Sequence, residues 1–229
     1  MRVGALDASM QDLEAELERA RELDVATLAD AIETIGFECT RCGACCKSEA
    51  DDPHTATVFP DEVRDVQAAA GAETDRDWRD VARPMPYGLD EDGAGETFEW
   101  ALQADSCGDC TFYREDDDGT GACSVHGSRP LICQTYPFSV ALGGTSQPMG
   151  EAVDEAGMVR AHECEGLGRD ISRADAEELA GALKARAIRE LEEAIDVREA
   201  YAPANPEPGA TVVHDSEGAK RPDGSAYPN

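Results

Sequence analysis

Residues 39–46 read CTRCGACC, four cysteines in eight positions with the last two adjacent. Thiolates are soft, anionic donors, and a two-residue gap lets neighbouring sulfurs converge on one centre. The C-x2-C-x2-C part of the run is a spacing shared by zinc sites and by the three-ligand run of ferredoxin-type iron–sulfur proteins. Cys45 and Cys46 differ, because adjacent side chains normally diverge from the backbone. The pair is therefore expected to split between two centres or to leave one thiol free to react.

Five more cysteines follow, Cys107, Cys110, Cys123, Cys133 and Cys164, so all nine lie between residues 39 and 164. Disulfides in an oxidising compartment and thiolates around metal in a reducing one compete to explain such a set. The N-terminal MRVGALDASMQDLEAELERA has neither the apolar run nor the small-residue cleavage pattern of a signal peptide, which points to a cytoplasmic chain with reduced thiols. No segment approaches the roughly 20 apolar residues that cross a bilayer, so no membrane partner is expected. A chain of 229 residues can bury a core without cross-links. Metal is the reading that remains, and ligands so scattered would tie distant loops together. Eight thiolates complete two four-coordinate sites and leave one over.

Charge is the second signal. Asp and Glu number 49 against 20 Lys and Arg, a net charge of −29, and only Lys47, Lys184 and Lys220 are lysines. The carboxylates run through every segment, including the expected helices, a pattern suited to concentrated salt, where ions screen self-repulsion. A halophile's cytosol is the expected setting. Nucleic acid is disfavoured as a partner, since phosphate contacts need clustered cations that this acidic chain lacks.

The expected fold class is α+β: a small cysteine-rich domain of short antiparallel strands stabilised by metal, flanked by N-terminal helices and a long C-terminal helix. Leu6, Met10, Leu13 and Leu17 follow helical spacing behind a cap at Ser9 and Asp12, and a second helix runs from Asp24 to Gly36 with Val25, Leu28, Ile32 and Ile35 on one side. Residues 1–36 thus read as a helical hairpin and 37–170 as the cysteine-cluster domain. PDEVRDVQAAAG (60–71) reads as a helix with Pro60 near its start, and 72–95 as loop. ETFEWALQ (96–103) reads as a strand with Phe98, Trp100 and Leu102 on one side, neighboured by CTFYRE (110–115) through the CGDC turn. EDDDGTGA (115–122) is an exposed turn without the spacing of a calcium loop. FSVAL (138–142) is a further strand. Residues 171–200 hold the clearest helix, capped by Ser172 and Asp175, and 201–229 read as an extended or disordered tail.

CTRCGACC, CTFYRE, CSVHGSRPLICQTYPF and a final CEGLG, in that order from residue 39 to about 168, resemble the CxxCxxCC, or YkgJ-like, cysteine-cluster family of zinc- or iron-chelating proteins. The resemblance implies Cys39, Cys42, Cys45, Cys46, Cys110, Cys123, Cys133 and Cys164 as metal ligands, with Cys107 as the extra thiol. His126 stands where the family commonly has tyrosine, and Gln134 where an arginine usually follows the cysteine. His126 and His162 read as hydrogen-bonded neutral imidazoles before they read as ligands. Arg129 is expected to pair with the cluster's own charge or a local carboxylate, and Tyr136 and Phe138 to cover the site.

The implied cofactor is an iron–sulfur cluster or Zn2+, with iron–sulfur slightly favoured, in one or two centres serving the fold, redox chemistry or metal handling. The family also resembles the cysteine-rich region of flagellin lysine N-methylases, which implies S-adenosylmethionine-dependent methyl transfer as an alternative. A structural zinc module presenting the terminal helices to a protein partner is a third reading. The chain shows no glycine-rich strand-to-helix fingerprint and no Ser-His-Asp or HExxH arrangement, so no catalytic residue is assigned.

Overall fold

The computed structural model describes residues 3–48, 53–69, 76–142, 150–152 and 157–228, the side chains of residues 3–11 excepted. Its helices are α1 (Val3–Glu22), α2 (Val25–Ile35), α3 (Pro60–Ala69), α4 (Leu131–Thr135) and α5 (Arg173–Ala200). Its strands are β1 (Thr57–Val58), β2 (Ala82–Pro84), β3 (Gly95–Thr97), β4 (Trp100–Leu102), β5 (Tyr113–Glu115), β6 (Gly121–Cys123), β7 (Phe138–Val140), β8 (Glu151–Ala152), β9 (Val159–Ala161), β10 (Thr211–Asp215) and β11 (Gly218–Lys220). The class is mixed α+β with short strands and a long C-terminal helix, as expected. Of the named strand pairs only β3 with β10 runs parallel.

The chain divides into two compact units, one of residues 1–42 with 133–195, the other of residues 43–132 with 196–229. Each unit is thus made of two stretches separated in sequence.

The first is the helical unit. The Asp24 carboxylate accepts from the Thr27 N–H at 2.8 Å and caps α2, satisfying one of the amides that a helix start leaves unpaired. Gly36 ends it with φ 75°, and its N–H reaches the Ile32 carbonyl at 2.9 Å. A Cβ there would strike the Arg169 carbonyl, so glycine is required twice over. At the start of α5 the Ser172 hydroxyl accepts from the Asp175 N–H at 3.1 Å, as its sequence predicts. Leu17, Leu28, Ile32, Leu183 and Leu191 are buried together with Phe138, Val140 and Val159 of the β7-β9-β8 sheet. Ala29, Ala176, Ala180 and Ala187, spaced between them, are also buried and allow close helix packing. Each fully buried leucine or isoleucine contributes about 1.5–3 kcal/mol. Helix α1 starts at Val3, earlier than a cap at Ser9 implies, and the cap and the Leu6 and Met10 side chains lie outside the described ones.

The second is the strand unit, with sheets β1-β4-β2, β11-β10-β3 and β5-β6. The strand expected over 96–103 is broken at Phe98 and Glu99. Its halves serve different sheets, β3 beside β10 and β4 between β1 and β2, and Phe98 is left 50% exposed while Trp100 and Leu102 are buried. CTFYRE likewise pairs with β6 across the acidic turn rather than with residues 96–103. An Ala104–Cys110 bridge and a 2.9 Å hydrogen bond from the Thr111 N–H to the Gln103 carbonyl link it to the earlier segment. The stretch read as loop contains β2 and a 3-10 turn, Trp78–Asp80, capped by Asp77. The portion from 70 to 75 lies outside the described residues.

The segment read as a tail differs most. Residues 211–220 form a hairpin whose Val212, Val213, His214, Asp215 and Lys220 are buried. The Lys220 ammonium meets Asp215 at 2.8 Å and Glu217 at 2.6 Å and lies 5.0 Å over the Trp78 ring, while the Trp100 indole donates to Asp215 at 2.8 Å. Two buried charges thus satisfy one another in place of an apolar anchor, which is why hydropathy did not mark this hairpin as core. No helix among the described residues is long and apolar enough to cross a membrane.

Candidate metal centre

The knot folds through two left-handed residues, Arg41 at φ 59° and Gly43 at φ 77°, before the 3-10 turn Ala44–Cys46. Gly43 is doubly constrained, since a Cβ would also run into the Tyr113 ring. Tyr113 is held there by its hydroxyl, which donates to Glu115 at 2.5 Å, and Lys47 pairs with the same carboxylate. The end of the knot is pinned to the CGDC turn by hydrogen bonds from both backbone and side chains. The Cys110 N–H donates to the Cys46 carbonyl, and the Ser48 N–H to the Asp109 carboxylate, both at 2.8 Å.

Contrary to the expected divergence, the Cys45 and Cys46 sulfurs come together at 3.8 Å. Two thiolates on one tetrahedral zinc, with Zn–S of about 2.3 Å, stand about 3.8 Å apart, so a single ion could accept both. Both residues lie in the 3-10 turn, where the chain is not extended and successive side chains do not point to opposite sides. The Cys46 thiol, above all, pulls Cys45 down to about 7, with a smaller contribution from the positive charge of Arg129. The Arg129 Nε donates to the His126 carbonyl at 3.2 Å.

Cys110 is buried, and burial pushes its thiol up to about 11, helped by the neighbouring Cys123 and Cys45. Cys123 stands opposite Tyr113 in the β5-β6 ladder, and the Tyr113 N–H reaches the Cys110 carbonyl at 2.9 Å. Cys45, Cys46, Cys110 and Cys123 thus share one neighbourhood of the strand unit. Exposed Cys107 occupies the rim of the turn, its N–H donating to Asp105 at 2.8 Å.

Cys39, Cys42, Cys133 and Cys164 belong to the helical unit. A Phe37–Leu167 bridge and a 3.0 Å bond from the Glu38 N–H to the Gly166 carbonyl bring the start of the knot to the CEGLG turn. The Gly166 N–H points at the Cys164 sulfur at 3.4 Å, the kind of donor that supports a thiolate. Cys133 lies in α4, and the hydroxyl of Tyr136, just past that helix, donates to the Glu163 carbonyl at 3.0 Å beside Cys164. His162 contacts that hydroxyl through Nδ1 at 3.4 Å. Phe138 is core, packed edge-on at 5.7 Å against Phe37.

None of the nine cysteines forms a disulfide, and among the described residues no three His, Cys, Asp or Glu side chains converge on one point. The donors nonetheless fit a metal. They are thiols with one ready-made tetrahedral edge, and a buried thiol among thiols ionises only when a cation compensates it.

His54 is a half-buried histidine beside the CGDC turn that sequence reasoning did not single out. Its N–H bonds the Gly108 carbonyl at 2.8 Å, and the Arg83 guanidinium donates to its carbonyl at 2.7 Å. Burial, aided by Arg83, pushes the imidazole down to about 4, and its buried Nε2 has no hydrogen-bond partner among the described residues. Nothing in DDPHTA marks it, since both neighbours in the fold come from distant segments.

Nine free cysteines in motifs of this order and spacing point to a zinc- or iron-chelating cysteine-cluster protein. Residues 38–165, more than half of the chain, match the family model "CxxCxxCC: Putative zinc- or iron-chelating domain", and the chain belongs to that family. No curated protein and no solved structure matches the chain.

Proposed function

We propose that this chain is a cytosolic metal–thiolate protein with two four-cysteine centres, one to each unit. Cys45, Cys46, Cys110 and Cys123 form one set, and Cys39, Cys42, Cys133 and Cys164 the other, with Cys107 outside both. The observation that carries this reading is the 3.8 Å sulfur pair in the strand unit, set beside the even division of the eight thiols between the units.

The close pair favours a centre that takes two thiolates on one metal, a mononuclear zinc or iron ion or a two-iron cluster, over a four-iron cluster, which distributes its cysteines one to each iron. The second set, with its C-x2-C gap, suits zinc or an iron–sulfur cluster. When bound, such a metal supplies charge compensation and cross-linking, and iron would add electron transfer. The protein's part is to hold the thiolates, with Arg129 and the Gly166 N–H stabilising their charge.

The test is metal analysis of anaerobically purified protein, wild type and Cys46→Ser. The expected result is two centres per chain in the wild type and loss of one in the variant. Folded, metal-free wild type, or a variant retaining both centres, would sink the assignment.

A further inference from the structure

Three large apolar side chains stand out as exposed among the described residues, Tyr87 at 71%, Phe98 at 50% and Tyr201 at 45%. All belong to the strand unit and gather about β3. Phe98 immediately follows that strand. Tyr201 lies 5.7 Å from it between ring centroids. Tyr87 precedes Gly88, whose backbone is packed so closely on the Glu96 carbonyl that no Cβ would fit.

Beneath them sits His214, 1% exposed, stacked on Phe98 at 5.2 Å and edge-on to Tyr201 at 4.9 Å. Its Nε2 meets the Glu96 carboxylate at 2.7 Å, while its buried Nδ1 has no hydrogen-bond partner among the described residues. A leucine would fill such a place without an orphaned nitrogen. What the imidazole adds is a platform that lifts two rings into solvent and fixes a carboxylate, still 35% exposed, beside them.

We infer that this aromatic and acidic patch docks a basic polypeptide segment, an arginine or lysine side chain of a partner stacking on Phe98 and Tyr201 and pairing with Glu96. Exposed tyrosine and phenylalanine mark interfaces, and ring faces beside a carboxylate attract cations. Charge selects the occupant. At −29, the chain repels nucleic acid, anionic membrane and a second copy of itself, and draws a basic chain. The inference does not depend on which metal is bound.

The test titrates a synthetic peptide of alternating arginine and glycine into the metal-loaded full chain in 2 M KCl, which screens long-range attraction, with an alternating glutamate and glycine peptide as control. The variant is Phe98→Ala/Tyr201→Ala, which leaves the net charge unchanged, with circular dichroism to confirm folding and Tyr201→Ala alone as the milder form. The expected result is binding of the arginine peptide only, weakened about tenfold in the double variant and by less in the single one. Equal affinity in wild type and variants, no binding at all, or a wild-type dimer that the substitutions dissolve would each overturn it.

Discussion

The two units keep their shape by different means. The helical unit buries a continuous set of leucine, isoleucine, valine and alanine side chains from α1, α2, α5 and the β7-β9-β8 sheet. The strand unit is assembled from strands of two to five residues and one ten-residue helix, and its interior carries His214 and the Asp215–Lys220 pair beside Trp100 and Phe112. Short strands add little stability of their own. A unit so built should depend on its metal where the helical one depends on apolar burial. Both tryptophans of the chain, Trp78 and Trp100, lie in the strand unit with centroids 5.1 Å apart, so their emission reports that unit separately.

The largest expected effect is that of metal removal. Under reducing conditions a chelator should abolish the native tryptophan signal while most helical circular dichroism survives. Simultaneous loss of both at one chelator concentration would erase the contrast. Next comes Lys220→Met, which leaves Asp215 buried without its cation and should cost about 3–5 kcal/mol in denaturation followed by tryptophan emission. Leu183→Ala, a cavity in the other unit, should cost about 2–5 kcal/mol but shift the helical signal first. If emission moves first for both, the units are not separable.

Acid should act on the strand unit more mildly. His54 titrates near 4 in the fold against 6.5 ordinarily, so the unfolded chain binds the proton first. Stability is then full above about pH 6.5 and falls by up to roughly 3 kcal/mol on the way to pH 4. Glu217, held at about 2 by Arg64 and then Lys220, adds stability that is present above about 4.5 and lost as pH falls toward 2. Tryptophan-monitored stability of His54→Leu should stay flat from pH 6.5 to 5, and a slope equal to that of the wild type would refute the assignment. The smallest effect belongs to Cys107→Ser, which should leave metal content unchanged, and a lost equivalent would add this thiol to a centre.

Where local chemistry decides structure, the sequence was readable. Asp24 and Gly36 bound α2, Ser172 caps α5, and the order of cysteine motifs announced the family. What escaped depends on distant partners. The alternation of Phe98, Trp100 and Leu102 suggests one strand, but β10, more than a hundred residues away, takes the first half into another sheet. The β-branched TVV followed by HDSEG was a usable hairpin signal, outweighed by the polar residues around it. The 3.8 Å approach of the Cys45 and Cys46 sulfurs, within a 3-10 turn, is a local conformation that spacing did not disclose.

Because each unit is made of two separated stretches, synthesis on the ribosome cannot finish one before starting the other. Cys45, Cys46, Cys110 and Cys123 all emerge before Cys133 and Cys164, while β10 and β11 follow only after α5. A nascent chain therefore presents four exposed thiols well before the hairpin that completes their unit exists. On the proposed ligand assignment, loading and folding would be ordered in time by the path of the chain, and the supply of metal during translation should influence yield.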